Sequence, residues 1–315
     1  MPNALTVPVP RQRRVPPAVR PSGTNARMVQ LLSELAHGEG FLPSRLPGVR
    51  FMRTVRHIPR APIVYEPSIV IIAQGRKIGH LAGRRFVYDR DHFLVLSIPL
   101  PFECETFGTR DEPVLGVKIG VTPALVTELL LEMNATPPDS GAETLRTARL
   151  DAPIADATMR LLESLRSDAD ARILGSQIIR EITYRVLLSE AGEMLHPLAA
   201  PDSTAGRIHR VLHRIHTDFA RPLDVPTLAR EAGMSVSTFH ERFKAATSSP
   251  PHQYLKSIRL HRARTLMVND GISAAEAAAR VGYESASQFS REFKRFFGTT
   301  PAAAAQSLRQ TLTRL

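Results

Sequence analysis

The sequence contains a single cysteine, Cys104, among its 315 residues. One thiol forms no internal disulfide and supplies no zinc site by itself, which agrees with a reducing compartment and argues against catalytic metal chemistry. The chain also lacks any run of about 18 consecutive apolar residues, the length that spans a bilayer, and no apolar segment follows its first basic residues as in a secretory signal. We therefore expect a cytoplasmic protein without membrane segments, metal or other cofactor.

Acidic residues are absent from residues 1–27, which carry five arginines. They are outnumbered in residues 202–315, where 17 Lys and Arg accompany nine Asp and Glu. The net charge of the whole chain is +11, so the middle of the chain is close to neutral and both ends are basic. A basic carboxy-terminal third favours a polyanionic partner such as nucleic acid, although surface bias alone also produces basic proteins.

The composition divides the chain into four parts. Residues 1–27 are rich in Pro and Arg without apolar periodicity, which predicts a disordered basic tail, either simply solvated or a DNA-binding arm. Residues 28–195 are predicted to form a first domain, residues 196–206 (HPLAAPDSTAG) a linker, and residues 207–315 a second domain. An apolar content of 43% is typical of a chain with globular domains.

The first domain begins with short β-branched and aromatic runs separated by Gly, Pro and Asp. From about Gly48 these are FMRTV, SIVIIAQG, KIGHLAG, RRFVYDRD, HFLVLSI and EPVLGVKIG. Their length and spacing predict an all-β barrel or sandwich. After Thr122, by contrast, TPALVTELLLEM, DAPIADATMRLLESLRS and ILGSQIIREITYRVLLSEAGEM have helical apolar periodicity. These helices are expected to cover the sheet or to pair with a second subunit.

The second domain contains an internal repeat. AGMSVSTFHERFKAATSSPP, from Ala232 to Pro251, aligns with VGYESASQFSREFKRFFGTTP, from Val281 to Pro301, at an offset of 50 residues for most positions. Each copy follows a short helical pattern and continues with a glycine, a serine and two phenylalanines four residues apart. A helix, a glycine turn and a second helix predict a helix-turn-helix, so the domain is expected to contain two of them.

Individual residues in the repeat have predicted structural roles. Gly233 and Gly282 are expected to form the turns, since glycine adopts turn conformations without steric cost. Ser235 and Ser285 are expected to cap the second helices. The paired phenylalanines are expected to pack inward: Phe239, Phe243, Phe289 and Phe293. The intervening PHQYLKSIRLHRARTLMVND predicts a connecting helix of about 27 Å. Two recognition helices held at that distance can enter successive major grooves, which lie about 34 Å apart.

At these residues the sequence resembles the AraC/XylS family of bacterial transcription regulators. The motifs that carry the resemblance are G-Y-x-S-x-S-x-F-S-R-x-F-K-R-x-F-G-x-x-P, from Gly282 to Pro301, and R-L-x-x-A-R-x-L-M, from Arg259 to Met267. The likeness extends over about residues 205–308. A segment of the first domain, with YEPSIVIIAQGRK and FLVLSIPLPFE, is similar to the amino-terminal domain of one branch of the family. The resemblance implies an α+β protein: a cupin-like β-barrel with a helical dimerisation segment, then an all-α double helix-turn-helix domain.

The resemblance implies a sequence-specific DNA-binding transcription regulator that is not an enzyme. The implied partners are double-stranded promoter DNA, a second copy of the chain, a small-molecule effector for the first domain, and RNA polymerase if the protein is an activator. Two alternatives are a non-specific architectural DNA-binding protein and a DNA-alkyl-transfer enzyme with the same DNA-binding unit. Neutral Ser237, Ser287 and Gln288 at reading positions favour readout over the first, and the single cysteine argues against the second.

Carried over by position, the resemblance implies two sets of DNA contacts. The expected base-contacting residues are Ser237, His240 and Glu241 on the first recognition helix, and Ala286, Ser287, Gln288 and Arg291 on the second. The expected phosphate-contacting residues are Lys244, Lys256, Arg259, Lys294 and Arg295. Arg291 is suited to guanine and Gln288 to adenine. Glu241 could accept a hydrogen bond from a cytosine amino group, or it could pair with Arg242 or Arg210.

Cys104 lies in PFECETF, between two phenylalanines and beside Glu103 and Glu105. A small core residue is the ordinary role of a lone cysteine, and adjacent carboxylates raise the pKa of a thiol, which argues against reactivity. The alternative is a sensor thiol, a role that relatives of the first domain imply.

Three histidines fall on one helical stripe of the second domain: His209, His213 and His216. Their spacing suits a metal ion, but adjacent arginines would repel a cation and no acid joins them. We therefore predict no metal site there.

Overall fold

The computed structural model describes residues 23–135 and 143–306 of the chain. Its first helix, α1 (Gly23–Leu35), includes the last five residues of the predicted tail, and residues 1–22 lie outside the described residues. The strands are β1 (Gly40–Pro43), β2 (Val49–Thr54), β3 (Ile58–Tyr65), β4 (Ser68–Gln74), β5 (Arg76–Leu81), β6 (Arg84–Asp89), β7 (His92–Leu96), β8 (Leu100–Phe107), β9 (Val114–Gly120) and β10 (Leu145–Arg149).

The ten strands form one antiparallel sheet in the order β1-β2-β9-β4-β7-β6-β5-β8-β3, with β10 paired to β7. All six predicted runs are strands of this sheet, and β1, β3, β8 and β10 add to them. Strand β3 contains Pro59 and Pro62, which lack the amide hydrogen that a central strand needs. It lies at the edge of the sheet, where proline is tolerated.

Both faces of the sheet are covered, which explains why every residue of β4 from Ser68 to Ala73 is buried. Side chains of a strand alternate between faces, so Ile69 and Ile71 join one core while Val70 and Ile72 join the other. The first core lies under α1 and the three predicted amphipathic helices: α2 (Pro123–Glu132), α3 (Ala152–Ser164) and α4 (Asp168–Leu187). The second core continues into the carboxy-terminal helices.

The carboxy-terminal part of the described chain is helical. Its helices are α5 (His196–Ala199), α6 (Thr204–Asp218), α7 (Val225–Glu231), α8 (Val236–Thr247), α9 (Pro251–Asn269), α10 (Ala274–Arg280) and α11 (Ala286–Phe297). The predicted linker, residues 196–206, thus contains α5 and the start of α6. Its Pro197 stands in a first helical turn, and Ser203 caps α6 by accepting from the Gly206 amide at 3.0 Å. Proline and serine are common at helix starts as well as in linkers, so composition alone did not distinguish a linker from a helix start.

Hydrogen bonds from two hydroxyl groups, those of Tyr254 and Thr144, join the first domain to the carboxy-terminal helices. The Tyr254 hydroxyl of α9 donates to the Pro99 carbonyl beside β8 and accepts from His216 Nε2 of α6 at 2.8 Å. The Thr144 hydroxyl donates to the Ala246 carbonyl of α8 at 2.6 Å.

Within residues 23–135 and 143–306, every helix is too short or too polar to cross a membrane.

Candidate nucleic-acid interface

The first predicted helix-turn-helix consists of α7 and α8. Gly233 forms the turn with φ of +62°, and Ala232 before it is fully buried where the helices approach each other. Ser235 Oγ accepts from the Thr238 amide at 3.2 Å and so caps α8. The turn and the cap agree with the sequence prediction, because both depend on local backbone chemistry.

The second helix-turn-helix, α10 and α11, repeats this arrangement. Gly282 has φ of +82°, and a Cβ atom at this position would lie 2.3 Å from the Ala220 carbonyl oxygen. Ser285 Oγ accepts from the Gln288 amide at 3.3 Å and caps α11. The turn therefore needs glycine for two reasons, its backbone conformation and the close approach of the loop that follows α6.

The four predicted inward phenylalanines are fully buried, two in each unit. Ring centroids of Phe239 and Phe243 lie 5.4 Å apart, and those of Phe289 and Phe293 lie 5.5 Å apart. The first pair belongs to the core that continues into the sheet, and the second pair has a core of its own. Helix α9, with 19 residues and therefore about 28 Å long, connects the two units.

The outward faces of both recognition helices are open to solvent. On α8, Ser237 and Glu241 are exposed and His240 is half-buried. On α11 the residues expected to contact bases are all exposed: Ala286, Ser287, Gln288 and Arg291. Lys244, Lys294 and Arg295 are also exposed, in the last turns of the same helices. The fold thus brings the predicted reading residues of each unit onto one helix face, with cations at its carboxy-terminal end.

Glu241 forms no ion pair with any residue that the structure describes. Arg210, one of its proposed partners, instead lies 3.7 Å from Asp202. The Glu241 carboxylate is therefore available on the exposed face of α8, where it can accept hydrogen bonds from a cytosine amino group.

The two other predicted phosphate contacts are engaged within the protein. Arg259 donates to the backbone carbonyls of Phe219 at 2.7 Å, Arg221 at 3.0 Å and Gly282 at 3.2 Å. Lys256 Nζ lies 2.9 Å from Glu292 Oε1. Both side chains are half-buried: Lys256 links α9 to α11, and Arg259 links α9 to the loop after α6 and to the turn of the second unit. A role at phosphates would require them to leave or share these contacts.

Glu292 is a residue that sequence reasoning did not single out. Besides Lys256, it accepts hydrogen bonds from the Tyr283 hydroxyl at 2.8 Å and from Gln288 Nε2 at 3.4 Å. Burial disfavours its charge, but these donors outweigh burial and hold the pKa of Glu292 below its ordinary value. The spacing of Gln288 and Glu292, four residues apart on α11, was the available signal.

Comparison with known proteins follows the same division of the chain. A model of the AraC-type transcriptional regulator N-terminus matches residues 45–194, and a helix-turn-helix domain model matches residues 228–307. Together they account for more than two thirds of the sequence, and the second one extends from within α7 past the end of α11. The chain belongs to the AraC/XylS family.

Curated relatives in the AraC/XylS family match this chain over part of their length. The Msm operon regulatory protein of Streptococcus mutans is 28% identical over 121 residues, which is 38% of this chain and 44% of the relative. The HTH-type transcriptional activator RhaS of Escherichia coli is 25% identical over 155 residues, 49% of this chain and 55% of RhaS. The chain thus spans about half the length of the curated relatives it matches.

Solved structures in the family show the same two-domain fold. Unsaturated fatty acid-bound ToxT from Vibrio cholerae superposes with a TM-score of 0.56 at 12% identity, over 84% of this chain and 96% of ToxT. A second structure of ToxT superposes with a TM-score of 0.55 at 13% identity, over 85% of this chain and 98% of ToxT. At this identity the likeness concerns the fold.

A cavity of about 350 Å³ lies between the two domains of this AraC/XylS family member. Its apolar lining comes from both sides: Phe41, Ile63, Val64 and Tyr65 from the sheet, and Ile258 from α9. Four cationic side chains also line it, Arg50 and Lys118 from the sheet, Arg262 and Arg264 from α9. Glu66 is the acid in this lining, so the cavity is apolar with an excess of positive charge.

The polar groups of the cavity are incompletely paired. Lys118 stands 5.7 Å from the centre of the Tyr65 ring and forms no ion pair with a described residue, and burial lowers its pKa from the ordinary value. His261, 7% exposed, has no hydrogen-bond partner at Nε2 among the described residues. Arg264 donates to the Pro62 carbonyl at 3.3 Å and packs over the Phe297 ring, and burial lowers its pKa to about 10. A buried cation is stabilised by an anion, and a buried imidazole nitrogen is stabilised by a hydrogen-bond partner.

Cys104 is buried on β8, where its thiol lies 3.2 Å from the Tyr88 hydroxyl. Neighbouring residues of a strand point to opposite faces, so Glu103 and Glu105 lie away from the thiol. They pair instead with Arg60 and His57. The sequence argument from adjacent carboxylates therefore does not apply, and burial is the feature that limits access to the thiol.

The histidine stripe of α6 is divided by burial. His213 is exposed, whereas burial lowers the pKa of His209 to about 4 and that of His216 to about 3. No group of three or more potential metal ligands occurs among the described residues.

Proposed function

We propose that the protein is a cytoplasmic transcription regulator that binds a specific double-stranded DNA sequence through two recognition helices. One observation carries the proposal: α8 and α11 each begin at a serine cap, expose a row of hydrogen-bonding side chains and bury paired phenylalanines on the opposite face. Such helices insert their amino-terminal residues into the major groove. If the protein activates transcription, RNA polymerase is the further partner.

The connecting helix sets the form of the operator. Helix α9, about 28 Å long, connects the two reading units, and successive major grooves on one side of the duplex lie about 34 Å, or one helical turn of DNA, apart. One chain therefore reads two boxes on the same side of the duplex. The box read by α11 is expected to include guanine opposite Arg291, the side chain with two parallel donors.

Selection of bound sequences from a random double-stranded DNA pool, with the full-length protein at physiological salt, tests this proposal. We expect an enriched motif of two boxes whose centres lie about one turn, 10 to 10.5 base pairs, apart. A flat pool would contradict sequence readout and favour an architectural DNA-binding protein. Repeating the selection in the presence of the proposed effector distinguishes a non-specific DNA-binding protein from one that binds its operator only with effector bound.

Two variants of α11 distinguish a residue that contacts a base from a residue that contacts a phosphate. Arg291→Ala should weaken binding to the selected operator by about 1–3 kcal/mol and relax the sequence preference at one position. Lys294→Ala should weaken binding to all sequences alike and reduce the salt dependence of log K by about one unit. Equal behaviour of the two variants, measured by titration on operator and scrambled DNA, would refute the assignment of Arg291 to a base.

We propose that the effector of this regulator is an apolar carboxylic acid bound in the cavity between the domains. Two ToxT structures carry ligands of this class, an unsaturated fatty acid and (E)-4-(8-methylnaphthalen-1-yl)but-3-enoic acid. The support in this chain is the cavity itself, since its aliphatic and aromatic lining suits a hydrocarbon and its four cations suit a carboxylate. A ligand there contacts both domains and therefore can change their arrangement.

Calorimetric titration with oleate, and with oleyl alcohol as the uncharged analogue, tests the effector class. Lys118→Gln and Arg264→Gln should each weaken oleate binding about tenfold or more, the effect of losing one charge-assisted hydrogen bond. The exposed Arg110→Gln is the matched control and should change nothing. Equal affinity for acid and alcohol, or equal loss in the control, would show that the cations of the cavity do not bind a carboxylate.

We further propose that α2 and α4 form the interface of a homodimer. Large apolar side chains are exposed along this face to an extent that is unusual for a monomer: Leu131 72%, Ile173 66%, Leu188 62%, Leu174 47% and Tyr184 39%. Arg180 lies among them and pairs with Glu128 at 2.7 Å and Glu132 at 2.6 Å, which leaves its charge compensated within the chain.

Ile173→Ser combined with Leu188→Ser should convert a dimer to a monomer in sedimentation experiments, since both changes remove apolar area from the face. Ile58→Ser, an exposed apolar residue on β3 far along the chain from this face, is the control and should leave the dimer intact. A wild-type chain that sediments as a monomer at micromolar concentration would contradict the proposal.

A further inference from the structure

We infer that Val236 contacts a thymine methyl group in the DNA box read by α8. The inference rests on the proposed sequence-specific DNA binding and extends it to a residue type that hydrogen-bond patterns do not reveal. Val236 is the first residue of α8, directly after the Ser235 cap, and it is 44% exposed. It is the only large apolar side chain with such exposure among described residues 196–306.

Folding gives no reason for a valine at this position. The apolar contacts that fix the start of α8 come from its neighbours, the partly buried Met234 before the cap and the buried Phe239 one turn later. A β-branched residue is a poorer helix former than alanine. A polar side chain would therefore serve the helix start equally well and would avoid exposing an apolar surface to water.

The internal repeat shows the same arrangement a second time. At an offset of 50 residues, Val236 corresponds to Ala286, which is also exposed and also the first residue of its helix. The next residue is serine in both copies, Ser237 and Ser287. Each recognition helix thus presents an aliphatic group followed by a hydroxyl at its amino-terminal end, and the larger aliphatic group belongs to α8.

This end of a recognition helix is the part that meets base edges in the major groove. Thymine alone among the four bases displays a methyl group there, and an aliphatic side chain buries it favourably. Phosphates and the hydrogen-bonding edges of other bases offer no such partner to valine. The geometry therefore assigns Val236 a preference for thymine, beside the polar readout expected from Ser237 and Glu241.

The test removes one methyl group at a time from the DNA. In the selected operator, each thymine is replaced in turn by deoxyuridine, which differs only in lacking the 5-methyl group. We expect one position in the α8 box where this replacement weakens binding of the wild-type protein about fourfold, the effect of burying one methyl group. Val236→Ala should bind the thymine and deoxyuridine operators equally at that position.

Two controls keep the result specific. Val236→Ala should retain the thermal stability of the wild type, because the exposed side chain contributes little packing and alanine favours the helix. Its binding should still respond normally to changes at the guanine opposite Arg291. If the operator is bound specifically but no deoxyuridine position depends on Val236, the inference is overturned while the proposed function stands. If no operator is selected at all, the proposed function fails and the inference with it.

Discussion

Gly282 illustrates how one residue determines the position of a recognition helix. Its φ of +82° excludes most side chains, and its close contact with the Ala220 carbonyl leaves no room for a Cβ atom. Gly271 has a similar φ of +72° but has no atom within 4 Å of a Cβ position. A substitution at Gly271 therefore costs only the free energy of the backbone conformation, whereas one at Gly282 also costs the free energy of steric overlap.

We expect Gly271→Ala to lower the free energy of unfolding by about 1–2 kcal/mol, the cost of the left-handed conformation. Gly282→Ala should cost about 1–3 kcal/mol more, because the new methyl group also displaces the loop after α6. Urea unfolding of the two variants measures the difference. Equal losses would mean that the loop at Ala220 moves away without cost.

At the scale of elements, α9 and α11 are joined by the contact between Lys256 and Glu292. The side chains are 29% and 14% exposed, so solvent screens this ion pair less than a surface pair. The same carboxylate accepts from Tyr283 and Gln288, and it therefore connects the packing of the second unit to a residue of the reading face.

A double-mutant cycle with Glu292→Gln and Lys256→Met should give a coupling of about 1 kcal/mol in urea unfolding at pH 7. Because the pKa of Glu292 is lowered from 4.5, the coupling should be complete above about pH 4.5 and lost as pH falls through the lowered value. A coupling that persists after Glu292 is protonated, as followed by NMR of its side-chain carboxyl, would show that charge is not its origin.

At the scale of the whole molecule, the two domains share a hydrophobic core and a buried hydrogen-bond chain. His216 donates to Tyr254, which donates to the Pro99 carbonyl of the first domain. Burial, together with the charges of Arg262 and His213, lowers the pKa of His216 to about 3. The imidazole is thus neutral at physiological pH, and its donation to Tyr254 requires the tautomer with hydrogen on Nε2.

The protein should lose stability as pH falls below 6.5. The unfolded chain then protonates His216 near its ordinary pKa while the folded protein does not, so each such histidine lowers the free energy of unfolding by up to about 1.4 kcal/mol per pH unit. His216→Gln keeps a donor for Tyr254 and should make the decline between pH 6.5 and 5 shallower. Urea midpoints across this range, compared with the value at pH 8, measure the effect; an unchanged slope would contradict it.

Several features of the fold follow from short sequence patterns. The glycine turns, the Ser235 and Ser285 caps and the inward phenylalanines could be predicted, because each depends on residues within about one helical turn. The short β-branched and aromatic runs likewise predicted six of the ten strands. Strand β3, with two prolines, was not predicted, because only its position at the sheet edge makes those prolines acceptable.

The sequence by itself determined the two reading units and their connecting helix, since local periodicity specifies which face of each helix is apolar. It did not specify what those faces pack against. Only the tertiary structure decided that Arg259 binds three backbone carbonyls, that the sheet and the first reading unit share one core, that a cationic apolar cavity lies between the domains, and that Val236 is left exposed. These outcomes depend on contacts between residues far apart in the chain, and no short window of sequence contains both partners.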